Sequence, residues 1–114
     1  MFIAFRLVAA GLSIATLTFV LSALDIVAAQ DRRVRIINGT GTTVTRFHAS
    51  NTSRGTWEED ILGRSVLPAG HSVMINIDDG SGACMFDFRA VLANGRTIEA
   101  YGMNVCRITS WTIQ

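Results

Sequence analysis

Apolar and polar residues alternate with a period of two over several short stretches of this chain, and these stretches predict its strands. The clearest stretch runs from Cys84 to Cys106. Phe86, Phe88, Ala90 and Leu92 share a face with Cys84. Beyond the turn signal Asn94-Gly95, Ile98, Ala100 and Gly102 share a face with Cys106. A two-residue loop would pair Ala93 with Arg96, send the cysteines to opposite faces and set Phe88 on the same face as Glu99. A three-residue loop, Ala93-Asn94-Gly95, pairs Leu92 with Arg96 and holds Gly95 in the left-handed conformation. Only the odd loop puts both cysteines and all these apolar residues on one side, and a one-residue slip would invert every side chain. A hairpin with the three-residue loop is therefore the expectation. Were Cys106 to lie past the strand end, parity would not constrain it.

The other elements are shorter. Residues 34–37 predict a first strand, Asn38-Gly39-Thr40-Gly41 a tight turn, and residues 42–49 a second strand. Val44 and Phe47 are three apart, which breaks the alternation and implies a bulge. Residues 51–63 are irregular; within them residues 57–63 suit a single helical turn with Ser53 as cap, too short for a full helix. Residues 64–67 suggest a short strand and Pro68-Ala69-Gly70 a turn. Residues 71–77 alternate Val73, Ile75 and Ile77 against Met74 and Asn76, a half-buried strand. A polar loop over 78–82 leads to the hairpin, and residues 108–113 make a last strand with Trp111. Six or seven short strands without a long amphipathic helix predict an all-β fold, a small antiparallel β-sandwich or open barrel, with the sandwich as the expectation.

The N-terminus changes this picture. Residues 1–6 carry one positive charge, residues 7–24 are apolar or small and uncharged, and Val27-Ala28-Ala29 supplies small residues at a cleavage position. Residues 1–29 thus read as a helical signal peptide, cleaved after Ala29, leaving one β-domain over 30–114. The alternative is an uncleaved membrane anchor. An exported chain with two cysteines fits a Cys84–Cys106 disulfide, and closing a loop of that length is worth about 3 kcal/mol. Two buried free thiols are the other reading. The location expected is periplasmic or secreted.

Charge adds little direction. The net charge is +1, and every basic residue is arginine. Arg32, Arg33 and Arg35 form the one cluster, read as a solvated edge strand rather than a basic arm for nucleic acid or anionic lipid. Export removes most nucleic-acid partners, so none is expected.

Two loops carry the remaining chemistry. Trp57, Glu58, Glu59 and Asp60 form a candidate binding loop, since aromatic residues on loops are common anchors; the plainer role for Trp57 is to close one end of the core. Glu58, Glu59 and Asp60 on one loop and Asp78 and Asp79 on another would offer oxygens to Ca²⁺ if the loops met, with Asp60, Asp78 and Asp79 the weak candidates. Neither loop has a known ligand spacing, and turn chemistry explains the aspartates. The two cysteines and two histidines also lack metal-ligand spacing, so neither metal nor cofactor is expected. His48 and His71 are the only histidines, and Ser50, Ser53, Ser65 and Ser72 are candidate nucleophiles for a hydrolase, but no Gly-x-Ser-x-Gly element is present.

Taken in order, Asn38-Gly39-Thr40-Gly41, Ala49-Ser50, residues 57–63, Leu67-Pro68-Ala69-Gly70 and Cys84 with Phe86-Asp87-Phe88 make a pattern that resembles a group of small exported bacterial β-domains of unknown function. In that group the residue after the tryptophan is associated with glycine; here it is Glu58. The resemblance implies a bacterial, exported, single β-domain, supports the disulfide and implies nothing catalytic. The functional expectation is a monomeric, non-catalytic binding module for a protein or envelope component, engaged through the Trp57 loop or a sheet edge. A Ca²⁺-dependent module and a small hydrolase are the alternatives.

Overall fold

The computed structural model describes residues 31–114. The signal-peptide reading of residues 1–29, with its cleavage after Ala29, lies outside the described residues. Six strands follow one another: β1 (Arg33–Asn38), β2 (Val44–Asn51), β3 (Ser72–Asn76), β4 (Met85–Leu92), β5 (Thr97–Asn104) and β6 (Ser110–Ile113). They form two three-stranded sheets, ordered β3-β1-β6 and β2-β4-β5, and no helix occurs among the described residues.

Alternation builds one core between the sheets. Val34 and Ile36 of β1, Ile75 of β3 and Ile113 of β6 share a buried cluster with Phe47 of β2 and with Phe86, Phe88, Ala90 and Leu92 of β4. Trp111 of β6 reaches across, with ring centroids 6.2 Å from Phe47 and 5.4 Å from Phe88. Each large apolar side chain buried here contributes about 1.5–3 kcal/mol.

The pairing departs from the wholly antiparallel expectation in one place. β1 pairs antiparallel with β3 but parallel with β6, Ile36 lying opposite Trp111. A parallel pair needs a long crossover, and here the whole of β2 to β5 serves as one. β1 is consequently a central strand, not the edge expected from its arginines. Arg33 and Arg35 still face water because Val34 and Ile36 take the inner side. Arg32 turns instead to the loop before β4, donating to the Ala83 and Gly82 carbonyls at 3.0 Å.

The hairpin has the expected three-residue loop. The Leu92 N–H donates to the Arg96 carbonyl at 2.8 Å, the Gly95 N–H donates to the Leu92 carbonyl at 2.9 Å, and Gly95 has a φ of 89°. Ala90 then lies opposite Ile98, and Phe88 opposite Ala100. Beyond Ala100 the register shifts, and Phe86 faces Met103. The extra residue sits at Tyr101-Gly102, where Gly102 has a φ of 64° and its N–H donates to Asp87 Oδ1 at 2.8 Å. This bulge corrects the expected face. Gly102 is exposed rather than on the apolar side, and Met103 and Val105 turn inward in its place. Cys106 lies past β5 in a turn, so strand parity does not place its sulfur. The Cys84–Cys106 disulfide is formed all the same, with an S–S distance of 2.05 Å and Cα atoms 5.3 Å apart.

The bulge expected from Val44 and Phe47 is present between Val44 and Arg46. Residues 64–67 do not form a strand; Leu67 alone bridges Val44, through two backbone bonds of 2.9 Å. Residues 57–63 do not form the helical turn, and Ser53 caps nothing. Its N–H and hydroxyl both donate to Asn51 Oδ1, at 3.0 and 2.9 Å, closing a turn led by Asn51. Asp60 draws the segment onto β2 instead. Asp60 Oδ1 accepts the Phe47 N–H at 2.9 Å and the Leu62 N–H at 3.0 Å, and the Ile61 N–H donates to the Phe47 carbonyl at 2.8 Å. These bonds engage the outward backbone groups at the middle of β2, and the loop clothes that margin of the sheet.

A buried knot joins the turns on the other side. Asn38 is fully buried, and its Nδ2 donates to the Thr42 and Leu67 carbonyls at 2.8 and 3.0 Å. Its Oδ1 accepts from the Thr40 N–H and hydroxyl at 2.9 and 2.6 Å. Its backbone accepts from the Gly70 N–H and donates to the His71 carbonyl, each at 2.9 Å. Next to it, a Cβ on Gly39 would stand 2.8 Å from Thr112 Cγ2 and 3.0 Å from the Ile113 carbonyl oxygen, so only glycine lets this turn approach β6 so closely.

Candidate functional site

The outer face of the β2-β4-β5 sheet carries the polar half of the same alternation. Ser50 of β2 lies opposite Asp87 of β4, His48 opposite Arg89, and Arg89 opposite Glu99 of β5. The 52–63 segment folds over this face. Its Glu58 N–H donates to Ser50 Oγ at 2.6 Å, and the Glu58 carbonyl lies 2.6 Å from His48 Nδ1. A carbonyl only accepts, so Nδ1 is the donor in this contact.

These two bonds set Trp57 over the sheet rather than at the end of the core. The Arg89 guanidinium lies over the Trp57 ring, 5.9 Å from its centroid, and the Tyr101 ring lies 6.4 Å away at an interplanar angle of 40°. The core-closing role considered for Trp57 is thereby corrected: its ring partners are two residues of the sheet's outer side. Trp111, not Trp57, packs on the core aromatics.

Trp57 and Tyr101 form one flank of a cleft of about 190 Å³, completed by Ser50, Arg54, Gly55, Thr56 and Asp87. The arginines beside it are ion-paired. Arg54 Nε lies 3.4 Å from Glu58 Oε1, and Arg89 Nε lies 3.6 Å from Glu99 Oε2, an ion pair rather than a hydrogen bond. The Tyr101 hydroxyl donates to Glu99 Oε1 at 2.6 Å. That bond, and the negative charge behind it, hold the proton on Tyr101 and raise its pKa above the ordinary phenol value.

Of the expected binding loop, Trp57 lines this cleft and Glu58 anchors it. Asp60 points to the other side of the loop and holds β2. Glu58 and Glu59 meet Asp78 and Asp79 in a second cavity of about 180 Å³, so the two acidic loops do come together. The aspartates there serve their own turn: Asp78 Oδ1 accepts the Gly80 N–H at 3.0 Å, and Asp79 Oδ1 accepts the Ser81 hydroxyl and N–H. The Ser81 bonds lower the Asp79 pKa. Among the described residues no three His, Cys, Asp or Glu side chains converge as a metal site requires. His48 lies in β2 and His71 in the turn before β3, and among the described residues neither imidazole has a hydrogen bond to a serine or carboxylate, as an activated nucleophile needs.

Sequence reasoning named the loop but not its partners Ser50, Asp87, Arg89, Glu99 and Tyr101. The signal was present in the hairpin alternation: if Phe86 and Phe88 point inward, Asp87 and Arg89 point outward. Comparison with protein-family models, with curated proteins and with solved structures finds no match to the chain.

Proposed function

We infer that this chain is an exported, non-catalytic binding module: a signal peptide over 1–29, and a disulfide-stapled β-sandwich over 30–114 that acts as a monomer in a bacterial periplasm or outside the cell. The resemblance to small exported bacterial β-domains supports the compartment, and the disulfide is compatible with it. The observation that carries the binding role is the cleft on the outer sheet face. There two aromatic rings, Trp57 and Tyr101, stand outside the core beside hydrogen-bonding groups, and Tyr101 is 65% exposed. Tyrosine and tryptophan in this setting are the side chains that most often anchor a partner. The partner is a component of the cell envelope.

The test is sedimentation of the purified 30–114 domain with isolated envelope fragments. The wild-type domain is expected in the pellet and Trp57→Ala in the supernatant, with both giving the same circular dichroism. Equal pelleting of the two, or of neither, would end the assignment to this cleft.

A further inference from the structure

Resting on the reading of this cleft as a binding site, we propose that its ligand is an uncharged carbohydrate, one sugar ring of a neutral glycan seated on Trp57 and Tyr101. Size comes first. The cleft, at about 190 Å³, falls below the roughly 300–1,000 Å³ of pockets that enclose drug-sized ligands, so it takes one ring or one side chain and leaves the rest of a polymer outside.

Chemistry narrows the ring. The lining divides into an aromatic flank and a polar flank, and the ligand must match both. A flat hydrocarbon would cover Asp87 Oδ2 and the Ser50 hydroxyl proton without offering either a hydrogen-bond partner. An anion would meet the negative π faces of Trp57 and Tyr101 and the carboxylate of Asp87, while both nearby guanidiniums are already paired with Glu58 and Glu99. A cation would meet Arg54 in the lining and Arg89 already lying over the Trp57 ring. A sugar ring has polarised C–H bonds on its faces, which suit the negative face of an aromatic ring. Hydroxyls along its edge both donate and accept.

The polar flank has matching capacity. Asp87 Oδ1 holds the Gly102 N–H, which leaves Oδ2 to accept from a sugar hydroxyl. Ser50 Oγ accepts from Glu58 and keeps its proton for donation. The Gly102 bulge places the Tyr101 ring, and the 52–63 loop places the Trp57 ring. The recognition surface therefore exists before a ligand arrives, which limits the ordering cost of a weak binder.

Titration of the 30–114 domain with trimers of glucose, N-acetylglucosamine, galactose and mannose, followed by tryptophan fluorescence and calorimetry, tests this. Trilysine and a galacturonate trimer serve as charged probes. At least one neutral trimer is expected to saturate the site by millimolar concentration. Tyr101→Ala is expected to weaken it about tenfold, the worth of one aromatic contact, without moving the melting point. Asp87→Asn, which keeps an oxygen for Gly102, should weaken it less. Failure of all four neutral trimers, or tighter binding of a charged probe, overturns the sugar assignment. If envelope pelleting still depends on Trp57, the binding-module reading survives that failure; if pelleting fails too, both fall.

Discussion

Two polar networks tie loops together in this domain, and they differ in saturation. Around Asn38, the side-chain amide has both kinds of partner, no water reaches it, and the adjoining Gly39 is packed against β6. Around Trp57, ion pairs are looser, one carboxylate oxygen and a hydroxyl proton remain to be used, and the Tyr101 ring stands in solvent. A closed network of the first kind can only stabilise. An open one of the second kind contributes little to folding and is available to a ligand. The residues of the sequence pattern Asn38 to Asp87 divide along the same line. Asn38, Gly39, Leu67 and Gly70 meet in the first network and Asp60 pins the loop, whereas Trp57 belongs to the second.

Mutations should separate the two. Asn38→Ala should cost about 3 kcal/mol in denaturant unfolding, because it removes the buried amide's bonds to the Thr42 and Leu67 carbonyls and takes the side-chain acceptor from the Thr40 N–H. A loss under about 0.5 kcal/mol would show that the network is not a stabilising knot. Gly39→Ala should cost about 2 kcal/mol through overpacking against Thr112 and Ile113, read the same way. Trp57→Ala should cost under about 1 kcal/mol while removing envelope binding; a larger loss of stability would mean that the cleft is architecture after all.

The smallest effect is electrostatic. Tyr101 is the only tyrosine, so ultraviolet titration of the phenolate reads this one group. Its pKa is raised by the bond to Glu99, so any stability from that bond is present below the ordinary phenol pKa and lost as pH rises through the raised one. Glu99→Gln should bring the titration back towards the ordinary value. An unchanged midpoint would show that the two side chains do not interact in solution.

Much of the fold was legible where it is local. Asn94-Gly95 announces its turn chemically, and the phenylalanines of β4 leave one register that buries them. Gly102 inside a strand was itself a bulge signal, but the even run Ile98, Ala100, Gly102 favoured the simpler continuous face. The parallel pairing of β1 with β6 was not legible, because no local residue preference encodes a contact between the two ends of the domain. The candidate site sits between these cases. Its loop is visible as one aromatic among charges, but its floor is assembled from three strands. Only their registers bring Ser50, Asp87 and Glu99 near the loop.

The segment that carries Trp57 has a second effect through Asp60 and Ile61, which occupy the N–H and C=O of Phe47 along the outer side of β2. A strand engaged at its middle is a poorer template for a foreign chain. Shortening this loop to make a simpler scaffold would therefore uncover the N–H and C=O of Phe47 in the middle of an edge strand. The shortened protein should then self-associate into oligomers visible by light scattering, while the parent stays dispersed.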